Sequence, residues 1–205
     1  MAEQQGNGRG RDLGRKPGAD AGTDAGTDTD AGADRGAGAR TAPEQAAART
    51  LEQAFREAEL TWESPAAGTY VVQLPGTRKL STTCQFIVGR HTVSLNAFVV
   101  RHPDENQEAF YRWLLERNLR TYGVSYAVDR LGDVYLSGRL PLAAVTVEEI
   151  DRLLGAVLEN ADGSFNTLLE LGFATAIRKE YAWRVARGEP TRNLEAFSHL
   201  TGDQF

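Results

Sequence analysis

The stretch from Asp129 to Gly172, DRLGDVYLSGRLPLAAVTVEEIDRLLGAVLENADGSFNTLLELG, constrains the fold of this chain more than any other. It reads as the end of a β-hairpin, closed by Pro141, that feeds a long amphipathic helix. Thr146-Val-Glu-Glu149 has capping-box spacing, in which a hydroxyl and a carboxylate satisfy the first unpaired amides of a helix. Val147, Ile150, Leu154, Val157, Leu158 and Ala161 then recur at helical spacing. Asp162-Gly163 interrupts or kinks the pattern before Phe165, Leu168, Leu169 and Gly172 resume it. A hairpin joined directly to such a helix implies a strand layer covered by helices.

The sequence before this stretch supports the same architecture. Thr41-Ala-Pro-Glu44 fits a second capping box, with Pro43 in the first turn, where a missing amide costs nothing. Ala47, Leu51, Phe55 and Ala58 follow on one face, and the helix is expected to end near Leu60, before Trp62 and the breaker Ser64-Pro65. Period-two alternation then marks three strands. Tyr70, Val72 and Leu74 form the apolar side of the first. Leu80, Thr82, Cys84, Phe86 and Val88 form that of the second. Val93, Leu95, Ala97 and Val99 form that of the third. Asp104, with Gln107 three residues on, opens a second helix carrying Phe110, Trp113, Leu114 and Leu119, widened by Tyr111 and Leu115. Strands Val124–Val128 and Val134–Leu140 complete the set. The predicted order is α-β-β-β-α-β-β-α: an α+β domain with a five-stranded antiparallel sheet and helices packed on one face.

Three segments follow from composition. Residues 1–43 are expected to be a disordered tail, because residues 1–40 hold ten glycines and, Met1 aside, only one large aliphatic side chain, Leu13. Too little apolar surface is available to offset an ordering cost of roughly 1–2 kcal/mol per residue. Residues 44–187 form the domain, and 188–205 a C-terminal tail of unassigned order. A domain of roughly 145 residues buries about 68–70% of its unfolded surface and needs no disulfide or metal to be stable. One cysteine, Cys84, allows no intrachain disulfide, and its place in the alternation marks it as a buried small hydrophobe. No signal-peptide pattern and no run of 18 apolar residues is present, so the expectation is a cytoplasmic protein with no membrane span. A net charge of −5 with both signs interspersed argues against a nucleic-acid partner.

GDVYLSGRLPL followed by TVEEIDRLLGAVLENADGSFNTLLELG resembles the YbjN-domain family, proposed bacterial sensory transduction regulators with a fold like that of type III secretion chaperones. The resemblance spans about 130 residues, from Leu60 to Arg187. Its markers are the Gly132-Asp133 hairpin, Leu140-Pro141-Leu142, the helix start at Thr146 and Ala161-Asp162 before Phe165. Each has a turn, cap or packing account, and none is a catalytic signature. The resemblance implies a chaperone-like, protein-binding role and carries over no active-site residue.

No residue pattern supplies chemistry. His91, His102 and His199 lie in separate loops and the C-terminal segment, with no i, i+3 or i+4 pairing, so no metal ligand is assigned. Asn160-Ala-Asp-Gly163 fails as a calcium loop: with Gly163 at the sixth position, leucines 158 and 169 occupy the positions that need carboxylates. Pro75-Gly-Thr-Arg-Lys79 lacks the spacing of a phosphate loop and reads as a hairpin turn. Glu148/Glu149 and Asp104/Glu105 sit in first helical turns, where the helix dipole accounts for them. No catalytic residue, cofactor or known small molecule is assigned. The second sheet face mixes Ser, Thr, Gln and Asn with Ile87, Phe98, Val100 and Tyr135, and these four are the candidate protein-binding residues. Trp113's helix and the Tyr181/Trp183 segment are the alternative surfaces. The expectation is a non-catalytic protein-binding domain of chaperone or adaptor type with a regulatory role and a protein partner or a homodimer. The alternative is a small-molecule sensor or an enzyme with a site in the sheet–helix cleft.

Overall fold

A computed structural model describes residues 40–202; of the expected tail, 1–43, residues 1–39 lie outside them, and Ala42 and Pro43 already belong to the first helix. The elements run α1 (Ala42–Glu57), β1 (Thr61–Ala66), β2 (Thr69–Pro75), β3 (Ser81–Val88), β4 (Thr92–Val100), α2 (Gln107–Asn118), β5 (Ser125–Val128), β6 (Val134–Pro141), α3 (Val147–Ala161), α4 (Phe165–Arg187), a 3-10 segment (Arg192–Phe197) and α5 (Ser198–Thr201). A further short 3-10 turn, Leu142–Ala144, joins β6 to α3. One antiparallel sheet has the order β1-β2-β3-β4-β6-β5.

Among the described residues the sheet has six strands where the sequence predicted five. The additional strand, β1, runs through Trp62 and across Ser64-Pro65, which the sequence marked as a breaker. It pairs only with β2, and its register slips between Glu63 and Ala66. Proline lacks a ladder donor and is tolerated on an edge strand at an irregularity, which is where Pro65 sits.

One face of the sheet is dry. Tyr70, Val72 and Leu74 of β2, Cys84 and Phe86 of β3, Val93, Leu95 and Ala97 of β4, and Val134 and Leu136 of β6 are all buried, as the alternation predicted. Helices α1 and α3 lie on that face. Phe55 of α1 is its aromatic centre, with ring centroids 5.4 Å from Phe86, 5.8 Å from Trp62 and 6.1 Å from Tyr70. The capping box at Thr41 forms, and at Thr146 only its hydroxyl half does, because the Glu149 carboxylate turns to Tyr122 and Arg152. The Glu44 carboxylate accepts the Thr41 amide (2.6 Å) and hydroxyl (2.9 Å), and the Thr146 hydroxyl accepts the Glu149 amide at 3.1 Å.

Several expected core positions are not in the core. Leu80 is 97% exposed because β3 begins one residue later, at Ser81. Helix α2 starts at Gln107 rather than Asp104, after Asn106 in the left-handed conformation. It buries only Phe110 and Leu114, leaving Leu115 and Leu119 in solvent. Val128, assigned to the apolar side of β5, is also exposed. Between residues 188 and 202 the chain folds back, and Leu194 and Phe197 pack on Ile177 of α4.

Among the described residues, the buried side-chain polar atom left without a hydrogen-bond partner is the hydroxyl of Thr82. An unsatisfied buried hydroxyl costs about 1–3 kcal/mol. Thr82→Val is therefore expected to raise the free energy of unfolding by about 1 kcal/mol in a urea titration. Phe55→Ala is expected to lower it by about 3–5 kcal/mol.

Candidate functional site

The outer sheet face is built from the positions that alternate with the core. Cross-strand pairing places Phe98 of β4 opposite Tyr135 of β6, and their rings meet edge to face with centroids 5.5 Å apart. Ile87 stands apart. It pairs with Thr69 and Ser94, and the polar row of Gln85, Asn96 and Ser137 separates it from the aromatic pair. Val100, the fourth candidate, is not on this face: it is 5% exposed. The β4–β6 register slips by one residue between Phe98 and Val100. Val99 is the extra residue of a bulge, which turns Val100 to the dry side. The structure thus pairs two of the four candidates, isolates the third and buries the fourth.

A larger apolar surface lies on α2. At about 100° per residue, Leu115 and Leu119 fall about 140° and 180° around the helix from Phe110, opposite the buried stripe. They are 68% and 87% exposed. Together with half-exposed Tyr111 they line a shallow groove bordered by Glu108, Arg112 and Glu116. This is the helix of Trp113, one of the two alternative surfaces, although spacing places its leucines on the core side. Six large apolar side chains in ten residues, 110 to 119, are too many for one face of a helix of this length.

Asn118, at the end of α2, closes the neighbouring sheet edge. Its carboxamide oxygen accepts the Tyr126 amide (2.7 Å) and its NH2 donates to the Tyr126 carbonyl (3.3 Å). Tyr126 lies on β5, which pairs only with β6, so this side chain occupies the backbone groups that another strand would need. With Pro65 in the other edge strand, both sheet edges carry a device against strand addition.

Asp162, read from sequence as a helix kink, has a longer reach. It sits between α3 and α4 and accepts hydrogen bonds from the Thr77 hydroxyl (2.9 Å) and from the Arg78 and Lys79 amides (2.8 Å each). Gly76 is required beside it, since a Cβ there would collide with the Asp162 carboxylate and the Lys79 carbonyl. The Arg78 guanidinium reaches the Gly163 carbonyl. The Lys79 ammonium donates to the carbonyls of Phe98 (2.6 Å) and Val99 (3.0 Å) at the β4 bulge. It also lies 5.1 Å from the centre of the Phe98 ring. One carboxylate therefore fixes the β2–β3 turn, the α3–α4 junction and, through Lys79, the bulge. Burial pushes the Lys79 ammonium below the usual lysine range, and Asp162 partly offsets this.

The remaining titratable groups offer little chemistry. Burial pushes the Cys84 thiol far up, which leaves it protonated and inert. Among the described residues no group of three or more His, Cys, Asp or Glu side chains is placed to hold a metal ion. None of the described helices is long and apolar enough to cross a membrane.

Burial alone would raise the Asp162 pKa, but the Lys79 and Arg78 amides and the Thr77 hydroxyl outweigh it and hold the carboxyl below its ordinary value. A depressed folded-state pKa stabilises the fold above the unfolded-state pKa, and that stability is lost as pH falls through the folded value. Asp162→Asn should cost about 1–3 kcal/mol at pH 7. The gap between wild type and variant should narrow below about pH 4. Urea titrations across that range check both statements.

The family YbjN, "Putative bacterial sensory transduction regulator", matches residues 47–170, from α1 into α4. An uncharacterized protein of Mycobacterium leprae is 49% identical over 164 residues, covering 77% of this chain and 89% of that protein. One from Mycobacterium tuberculosis is 48% identical over 157 residues, covering 74% and 86%. Among solved structures, the chain is similar to one in the ExsC–ExsE complex (TM-score 0.47, 20% identity, 61% of this chain and 95% of that one). It is also similar to one in the HopA1–SchA chaperone–effector complex (TM-score 0.43, 18% identity, 56% and 89%). With more than half of its length matched and close relatives covered nearly end to end, the chain belongs to the YbjN family.

Proposed function

We propose that this is a non-catalytic protein-binding domain of adaptor or chaperone type with a regulatory role, and that α2 carries its principal binding surface. The observation behind this reading is the exposed Leu115–Leu119 stripe. Two leucines and a tyrosine on one exposed helix face are what a partner would bury, and contiguous apolar surface of this kind marks interaction sites. The regulatory part of the reading follows the family description.

The charge order along α2 favours a second copy of the chain as one occupant. Glu108, Arg112, Glu116 and, in the following turn, Arg120 alternate in sign at four-residue spacing beside the leucines. In an antiparallel pair of such helices the same flank meets itself. Glu108 would then face Arg120 of the second copy, and Arg112 would face Glu116. Complementary order of this kind fixes register more than it adds affinity. On the sheet, the Phe98–Tyr135 pair and the separate Ile87 are a secondary contact surface, without Val100. The sheet–helix interior is filled by side chains including Leu51, Phe55, Phe86, Phe110, Leu136 and Ile150. That packing favours a partner on the surface over a small molecule between the layers.

The test is a double substitution in the full chain, Leu115→Glu with Leu119→Glu. Both positions are exposed, so unfolding stability should stay within about 0.5 kcal/mol of wild type. Light scattering should show a wild-type dimer that the variant loses, or pull-downs from native extract should show a partner that the variant no longer holds. A wild-type chain that stays monomeric and retains nothing the variant loses would refute the reading.

A further inference from the structure

Helix α4 is two helices joined by a built bend, and the second carries a groove that is already filled. At Phe173 the backbone leaves helical geometry, with φ −143° and ψ 17°. The Gly172 carbonyl accepts the amides of Asp104 (3.0 Å) and Glu105 (3.2 Å) instead of continuing the helix. The Glu105 carboxylate then caps the new start, accepting the Thr175 amide at 2.6 Å and hydroxyl at 2.8 Å. A Cβ on Gly172 would come within 2.7 Å of Pro103 and 3.0 Å of Phe110, so glycine permits the close approach. Arg101, held by Asp104, lies 4.4 Å from the centre of the Phe173 ring.

Beyond the bend, α4 has its own apolar cluster. Ile177, Leu194 and Phe197 are buried together, with Leu169, Tyr181 and Leu200 half-buried around them. Only Leu169 also touches the main core. Leu194 and Phe197 are three residues apart in the 3-10 segment, which puts them on one edge, and Leu200 of α5 packs beside them. Of the residues from 192 to 202, only Leu194 and Phe197 are buried. Polar attachment is sparse: Arg178 Nε donates to the Leu200 carbonyl (3.1 Å), Arg184 Nη1 donates to the Pro190 carbonyl (3.2 Å), and His199 lies 3.5 Å from Glu170. The match to the family ends at residue 170, so most of the groove and all of its cover lie beyond the shared domain.

From this we infer that residues 192–201 are a displaceable internal ligand. They cover a groove formed by Leu169, Ile177 and Tyr181. When they leave, the groove receives a short amphipathic helix of another protein that presents three apolar side chains on one edge and a C-terminal carbonyl to Arg178. The cover rests on few buried side chains for the length of chain it orders, the usual mark of a segment that opens locally. This groove is separate from the α2 surface, and its test is independent of the reading above.

The experiment uses the full chain and, as probe, a fluorescent peptide of residues 190–202. Leu194→Asp with Phe197→Asp should release the cover in a chain that still unfolds cooperatively. That variant should bind the peptide in fluorescence anisotropy at least tenfold more tightly than wild type, whose groove is occupied. A peptide carrying the same two substitutions should not bind. In wild type, hydrogen exchange at amides 192–201 should be at least a hundredfold faster than in β3 and β4. A folded variant that does not take up the peptide would overturn the inference. So would equal protection of 192–201 and the central strands, or a variant that no longer unfolds cooperatively.

Discussion

Everything in this domain depends on one constraint: an antiparallel sheet with a single dry face must be covered, and only that face is covered. Burying alternate residues of β2, β3, β4 and β6 fixes the register of each strand, because a one-residue slip would exchange the core for the solvent face. The same alternation forces α1 and α3 onto one side, with Phe55 at the aromatic centre. The other side and the sheet's edges are left to interact or to be protected. Where the alternation breaks, at the Val99 bulge, the chain adds the Lys79 ammonium to hold the displaced carbonyls.

Periodicity made most of this fold legible in the sequence. The inward faces of β2 to β4, the capping box at Thr41, the helix start at Thr146 and the interruption at Asp162-Gly163 could all be read from residue spacing. What escaped was whatever depends on contacts between distant residues. Pro65 is a breaker in isolation and a tolerated residue once β1 is an edge. Val100 alternates correctly until a bulge reverses it, and no local signal marks that bulge. Asp162 looked like a local kink because the amides it binds are about eighty positions away in sequence. Asn118 closes the β5 edge through a contact that no pattern announces.

The candidate site was less legible than the fold, for a related reason. Sequence reasoning takes apolar residues on a helix as core, so spacing places Leu115 and Leu119 inward even though their helix is one of the alternative surfaces. They are exposed because α2 meets the rest of the domain along a narrow stripe, Phe110 and Leu114. Of the four candidates for the outer sheet face, only Phe98 and Tyr135 meet there. With Asn118 and Pro65 at the two edges, helix and sheet faces are the surfaces left open to partners.

The central claim is that α2 is where this chain meets other proteins. The most direct measurement replaces Leu119 with a photocrosslinking benzoylphenylalanine in the full chain and compares it with the same replacement at Leu80 and Arg139, exposed on the β2–β3 turn and the sheet. After irradiation in native extract, the account expects discrete covalent adducts from position 119 and few or none from the other two. Adducts from 80 or 139 but not from 119, or none from any of the three, would contradict it.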